Sequence, residues 1–223
     1  MCGRFVRKTP LNELAEIFDA VLEADLPLDY NIAPTTKIAV VLWHARLHKR
    51  ALVPVNWGLV PAWSKDSSGA AKLINARAET LAEKPSFREA FKARRCLIPA
   101  DGFYEWLPGN EKQKQPVYIH LKSQQPMAFA AIYEHWKKPE GGWLSTCAVI
   151  TTEANTKLQA VHHRMPVILN PEQQSLWLDP QTQNLTVLQN LLSALPDESV
   201  DFYPVSPQVN AVRFNSPACL DAI

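Results

Sequence analysis

The sequence predicts an α+β fold in a single domain over residues 1–223, with a curled antiparallel sheet and helices at its periphery. Three observations support it. Short β-rich runs recur along the chain on connections too short for the crossovers that parallel strands require. A few amphipathic segments begin at helix-capping residues. The 18 prolines are spread out, and no repeat, low-complexity stretch or linker divides the chain. Periodicity does not separate a closed barrel from an open sheet.

Taken in order, Thr9-Pro10 reads as an N-cap followed by proline at the first helical position. Leu11, Leu14, Phe18, Val21 and Leu22 then continue as one apolar helical face. Residues 37–43 and 51–60 are β-rich runs on either side of a basic polar stretch, which is a hairpin pattern. Phe87, Ala90 and Phe91 mark a short amphipathic helix ending at Arg94-Arg95. Strand-like runs follow at 96–98, 117–121, 127–133 and 147–151. Asn170-Pro171 opens a second capped helix, and residues 185–192 predict a third.

Composition narrows the function classes. An apolar fraction of 47% and a charged fraction of 20% over 223 residues are those of a soluble globular chain. No apolar run approaches the roughly 20 residues of a membrane span. The start, Met1-Cys2-Gly3-Arg4, lacks the apolar core of a secretory signal. A cytosolic monomer with no membrane partner is expected. A net charge of +1 and a pI near 7.7 argue against coating nucleic acid by bulk charge, for which a pI above about 9 is usual. Any DNA binding must come from a few placed cations, stacking or covalent chemistry. The four cysteines, Cys2, Cys96, Cys147 and Cys219, form no CxxC pair. Neither a zinc site, a redox motif nor a cofactor is expected.

Cys2 stands apart by position. A small residue after the initiator is the kind that methionine aminopeptidase exposes. Loss of Met1 would leave an α-amino group of pKa about 8 beside a thiol of about 8.5. Together they form a 1,2-aminothiol, which condenses with an aldehyde to an imine that the thiol closes into a thiazolidine. The plainer reading is an incidental cysteine in a frayed terminus, against which Gly3 permits close backbone approach and Phe5 could anchor the segment.

Four further clusters carry polar groups among apolar ones. In Leu73-Ile74-Asn75-Ala76-Arg77-Ala78-Glu79 an extended backbone puts Asn75, Arg77 and Glu79 on one face; the alternative is a solvated face with an Arg77–Glu79 pair. Glu105 lies between Tyr104 and Trp106, where desolvation would raise its pKa and suit it to proton transfer, unless it is a surface carboxylate. In His162-His163-Arg164 a histidine beside an arginine can act as acid/base or bind phosphate. Adjacent residues of an extended segment face opposite ways, so at most one of the two belongs to a site. Trp63, after Pro61-Ala62, suits base stacking if exposed and core packing if not.

Together these clusters resemble the SOS response-associated peptidase family of abasic-site processing proteins. The resemblance rests on Met1 to Phe5, Tyr30 to Pro34, Trp57 to Trp63, Ile74 to Thr80, Arg94 to Trp106, His162 to Pro166 and Pro204 to Asn210, in family order over nearly the whole chain. Each motif alone is weak, but their conjunction is specific. The resemblance implies a pseudo-barrel with a positively charged groove for single-stranded DNA, and a thiazolidine between Cys2 and the ring-opened deoxyribose of an abasic site. It implies that Asn75 orients the lesion or the Cys2 amine, that Glu105 shuttles protons, and that His162 assists imine chemistry. Arg4, Arg77 and Arg164 become candidate phosphate ligands, with Asn31 and Trp63 lining the groove. Ser64 stands where some relatives carry a second tryptophan. Two rival readings remain: an N-terminal-nucleophile peptidase or amidase using the same Cys2, and a non-covalent single-strand-binding module.

Overall fold

The structure, a computed structural model, describes residues 2–108 and 114–223. Thirteen strands and five α-helices are found among them. The first half of the chain runs β1 (Phe5–Arg7), α1 (Leu11–Ile17), β2 (Ala20–Leu22), β3 (Asp29–Ile32), β4 (Lys37–His44), β5 (Lys49–Trp57), β6 (Asn75–Arg77), α2 (Arg88–Ala93), β7 (Arg95–Ala100) and β8 (Gly102–Trp106). The second half runs β9 (Pro116–Leu121), β10 (Met127–Lys137), β11 (Trp143–Glu153), α3 (Thr156–Gln159), β12 (Arg164–Pro166), α4 (Pro171–Leu178), α5 (Leu185–Asn190) and β13 (Val200–Pro204). No helix among the described residues is long and apolar enough to cross a membrane.

The sheet closes on itself. Strands β11, β10, β7, β4 and β5 pair in that order, and β5 returns to β11 through Thr146↔Asn56 and Cys147↔Trp57. That last pairing is parallel, as are β2 with β5 and β6 with β11. The barrel is therefore mixed where an antiparallel sheet was expected. The long stretch of chain between β5 and β11 supplies the crossover that parallel pairing needs. A second sheet, in the order β13-β9-β8-β1-β3, is antiparallel throughout.

Period-two alternation sorts the barrel's side chains into two layers. Ala39, Val41, Leu97 and Ala130 join Phe18, Phe91 and Trp177 beneath the helices. Ile38, Val40, Ile98 and Ala131 join Phe5, Phe103 and Ile119 of the second sheet. Edge-on ring contacts lock this seam, with centroids 5.2 Å apart for Phe5–Trp57 and 5.9 Å for Phe103–Phe129. The amino terminus enters the molecule here.

Several local expectations change. Pro10, not Thr9, is the N-cap of α1; the Thr9 hydroxyl and the Lys8 and Thr9 amides all donate to the Asp101 carboxylate. The helix stops at Phe18 because Asp19 adopts φ 48°, a left-handed turn that ends helices. Val21 and Leu22 consequently leave the helical face for exposed β2. The Asn170 cap is a full capping box with Gln173, and α5 starts at Leu185 as expected but ends at Asn190. Arg95 begins β7, and its guanidinium donates to the carbonyls of Lys92, Trp177 and Asp179, which ties α2 to α4.

Candidate functional site

Strand β1 is flanked by β3 and β8, and this fixes what Cys2 meets. Phe5 pairs with Phe103, and the Tyr104 amide donates to the Arg4 carbonyl at 3.0 Å. Continuing that register sets Gly3 opposite Glu105 and brings Cys2 within electrostatic reach of its carboxyl. The register depends on Gly102, where a Cβ would lie 2.5 Å from the Ile119 carbonyl oxygen and 2.6 Å from the Tyr118 ring. Further on, Asp101 holds the chain just past β1 by accepting from Lys8 and Thr9. Asp101 lies inside the Arg94 to Trp106 motif, but its neighbours in sequence do not reveal this role. A carboxylate in an apolar run beside glycine was the available sign.

Cys2 is fully buried. Burial pushes its thiol well above the usual range, and the nearby Glu105 carboxyl adds to the effect. Across the seam, β6 lies parallel to β11 with Asn75 opposite Val149. Asn75 Nδ2 donates to the Cys2 carbonyl at 2.9 Å. The preceding carbonyl, of Ile74, accepts from Trp57 Nε1 at 3.0 Å, so buried Trp57 steadies the segment carrying Asn75. The Oδ1 of Asn75 is buried with no hydrogen-bond partner among the described residues.

Glu105 is 5% exposed. Burial raises its carboxyl to about 7, even though the positive charge at the chain's start opposes the shift. This carboxyl can donate or accept a proton near neutral pH. The His162 pKa is lowered, first by burial and then by the same amino-terminal charge. Its Nδ1 lies 2.9 Å from the Arg164 amide and 3.2 Å from the Arg164 carbonyl, so the backbone of Arg164 fixes the ring. His162 and His163 do not face opposite ways, as an extended segment would require. Their rings stack with centroids 4.3 Å apart, because residues 161–163 turn off the end of α3, with the His162 amide bonded to the Leu158 carbonyl.

The expected phosphate ligands and groove-lining residues separate into two groups. Arg77 is exposed at the end of β6. With His163, Arg164, Glu153 and Gln159 it lines a depression of about 370 Å3. Trp63 is 67% exposed, and its turn is anchored by Trp136 Nε1 donating to the Ser64 carbonyl at 2.8 Å. Arg164, in contrast, is buried and clasps both Glu79 oxygens at 2.8 and 2.9 Å, with a third bond to the Thr151 carbonyl at 2.6 Å. Glu79 therefore pairs with Arg164 and sits in a 3-10 turn rather than on a strand face with Arg77.

Asn31, expected to line the groove, lies inside the molecule. It is 2% exposed, and its Nδ2 donates to the carbonyls of Val209, Ala211 and Phe214. Arg4 donates to Asn31 Oδ1 at 2.6 Å and to the Val209 and Asn210 carbonyls. Trp106 Nε1 completes the clasp on Asn210 Oδ1 at 2.7 Å. The late motif Pro204 to Asn210 is thus the strap that Arg4, Asn31 and Trp106 hold against β1 and β8. The structure brings buried Cys2 and Glu105 together with half-buried Asn75, and His162 lies under the same amino-terminal charge. Asn31, Arg4 and Arg164 spend their polar groups on neighbouring carbonyls, on each other or on Glu79.

Comparison with known proteins identifies the family. The profile of the family described as SOS response associated peptidase (SRAP) matches residues 1–212. The chain is 41% identical to abasic site processing protein YoqW of Bacillus subtilis, covering 100% of both chains. It is 33% identical to abasic site processing protein HMCES of Mus musculus, over 86% of this chain and 64% of that one. A crystal structure of a protein from Bacteroides thetaiotaomicron superposes with a TM-score of 0.90 at 25% identity over 100% of both chains.

Proposed function

Because this chain belongs to the SRAP family, we propose that it captures abasic sites in single-stranded DNA through a thiazolidine formed by Cys2 once Met1 is removed. The observation that carries this reading is the cluster itself: a buried Cys2 whose carbonyl is held by Asn75 and whose thiol lies within electrostatic reach of a carboxyl tuned to about 7. A structural cysteine needs neither partner.

Each group has a step that suits it. The closed sugar opens when its ring oxygen gains a proton and its C1 hydroxyl loses one, and Glu105 serves as proton relay. The Cys2 amine then adds to the aldehyde, and loss of water gives an imine. His162, its ring held by the Arg164 backbone, gives a proton to the departing hydroxyl. The thiol adds to the imine carbon while its proton moves to nitrogen, so aldehyde and aminothiol yield thiazolidine and one water. A thiol whose pKa is raised by burial needs a neighbouring base, and Glu105 fills that role. Exposed Arg77 and Trp63 offer a cation and a stacking surface for the strand without reading bases.

Incubating the Met1-free protein with abasic and intact oligonucleotides tests this proposal against its rivals. A heat-stable adduct with abasic DNA alone supports it. Amide cleavage without an adduct would favour a peptidase, and equal reversible binding of both DNAs a non-covalent module.

A further inference from the structure

An extended segment would give the site only one of its two adjacent histidines. Instead the rings of His162 and His163 lie face to face, with centroids 4.3 Å apart and planes 25° from parallel. Backbone contacts fix the chain on both sides of the pair. The His162 amide donates to the Leu158 carbonyl at the end of α3, and the His163 carbonyl accepts from the Ala154 amide at 3.0 Å. Beyond them, Arg164 pairs with Glu153 of β11.

The two rings have different surroundings. His162 is half-buried, whereas His163 is exposed and borders the depression that Arg77, Glu153, Gln159 and Arg164 also line. The Arg164 backbone holds one edge of the His162 ring, at Nδ1. A ring held by one edge can still tilt about it. A second ring stacked on its face removes that freedom and fixes the direction of Nε2 before any substrate arrives. The charged groups around the pair are the amino terminus and Arg164 beside His162, with Arg77, Glu153 and Arg164 around His163. Arg164 is committed to Glu79. Burial lowers the His162 pKa first, and charge on the amino terminus, His163 and Arg164 lowers it further.

We propose that His163 is a positioning residue for the abasic-site reaction: it acts through its stack on His162, holding that imidazole in the plane from which it gives up its proton. This rests on the role proposed above for His162. Both histidines therefore serve the site, one by proton transfer and the other by packing. Because the hold depends on a flat ring, another aromatic side chain at residue 163 supplies it and a small one does not. The same ring covers one face of His162, so its removal returns that face to water and takes away a neighbouring positive charge.

Single-turnover capture of an abasic oligonucleotide by the Met1-free protein, paired with NMR titration of the imidazole C–H signals, tests this in the parent, His163→Ala, His163→Phe and His162→Ala. His163→Ala should lower the maximal rate about 10-fold or more. The DNA concentration giving half that rate should move less than ~threefold. His163→Phe should return the rate to within ~threefold of the parent. The His162 signal should titrate at higher pH in His163→Ala than in the parent. Three results would overturn the inference. One is a native maximal rate or an unmoved His162 titration in His163→Ala. Another is a raised half-saturating concentration at native maximal rate, which would make His163 a ligand of the strand. The third is equal slowing in His163→Ala and His163→Phe, which would assign the effect to the imidazole protons. A parent that forms no adduct, or a His162→Ala variant as fast as the parent, would instead remove the reading on which the inference rests.

Discussion

The side-chain amide of Asn75 reaches across 73 residues of sequence to donate to the carbonyl of Cys2 at 2.9 Å. Its other end, Oδ1, is buried with no hydrogen-bond partner among the described residues. A buried acceptor left in that state costs about 1–3 kcal/mol, which a bound lesion or the Cys2 amine would relieve. Asn75→Ala should therefore slow adduct formation by about 10²-fold with little change in affinity for intact DNA. Asn75→Asp, which turns the donor into an acceptor facing a carbonyl, should be equally slow. Native crosslinking rates in either variant would reduce Asn75 to a packing residue.

Glu105→Gln keeps the shape and hydrogen-bonding capacity of the side chain but cannot relay a proton. Adduct formation should slow by about 10²- to 10⁴-fold, and intact-DNA binding should change less than about threefold. The defect should shrink with a substrate analogue whose aldehyde is already open. Equal rates for both proteins across pH would leave Glu105 a structural carboxyl.

The same carboxyl sets a pH dependence of stability. Burial raises Glu105 from an ordinary 4.5 to about 7, so the folded chain holds its proton more tightly than the unfolded chain does. Its contribution is fully present below about pH 4.5 and is lost as pH rises through about 7. The loss amounts to about 3 kcal/mol at most. Denaturant melts from pH 4 to 8 should show Glu105→Gln gaining on the parent across this window. A constant difference between the two would contradict the shift.

Two arginines expected to bind phosphate should separate experimentally. Arg77 is exposed, so Arg77→Ala should leave the melting temperature unchanged, weaken single-strand binding and reduce its salt slope by about one unit or less. Arg164 is buried against Glu79 and Thr151, so Arg164→Ala should cost about 1–3 kcal/mol of stability. A shallower salt slope with full stability for Arg164→Ala would reverse this division.

The β4–β5 hairpin and strands β7, β9, β10 and β11 are legible in the sequence because each is a β-rich run long enough to show its pattern. Strands β1, β3, β6 and β12 span only three or four residues, too few for periodicity to register. Barrel closure is invisible for another reason: Thr146 meets Asn56 in parallel, a long-range pairing that neither run encodes alone. Members of the proposed site are legible where they sit inside a motif, as with Cys2 and Glu105. Partners are not, which is why Glu79 looks paired with Arg77 until Arg164 arrives from β12. Asn31 shows the same limit, since its carbonyl partners lie near residue 210, beyond any local pattern.

The central claim concerns one bond, and mass spectrometry of the adduct tests it most directly. Met1-free protein incubated with an abasic oligonucleotide should give a heat-stable species equal to the two masses less one water. Digestion should place the modification on the peptide that begins with Cys2. Cys2→Ala, which keeps the amine but cannot close the ring, should give only an imine that borohydride must trap. A heat-stable adduct in Cys2→Ala without reductant, or one mapped to a lysine elsewhere in the chain, would contradict the assignment.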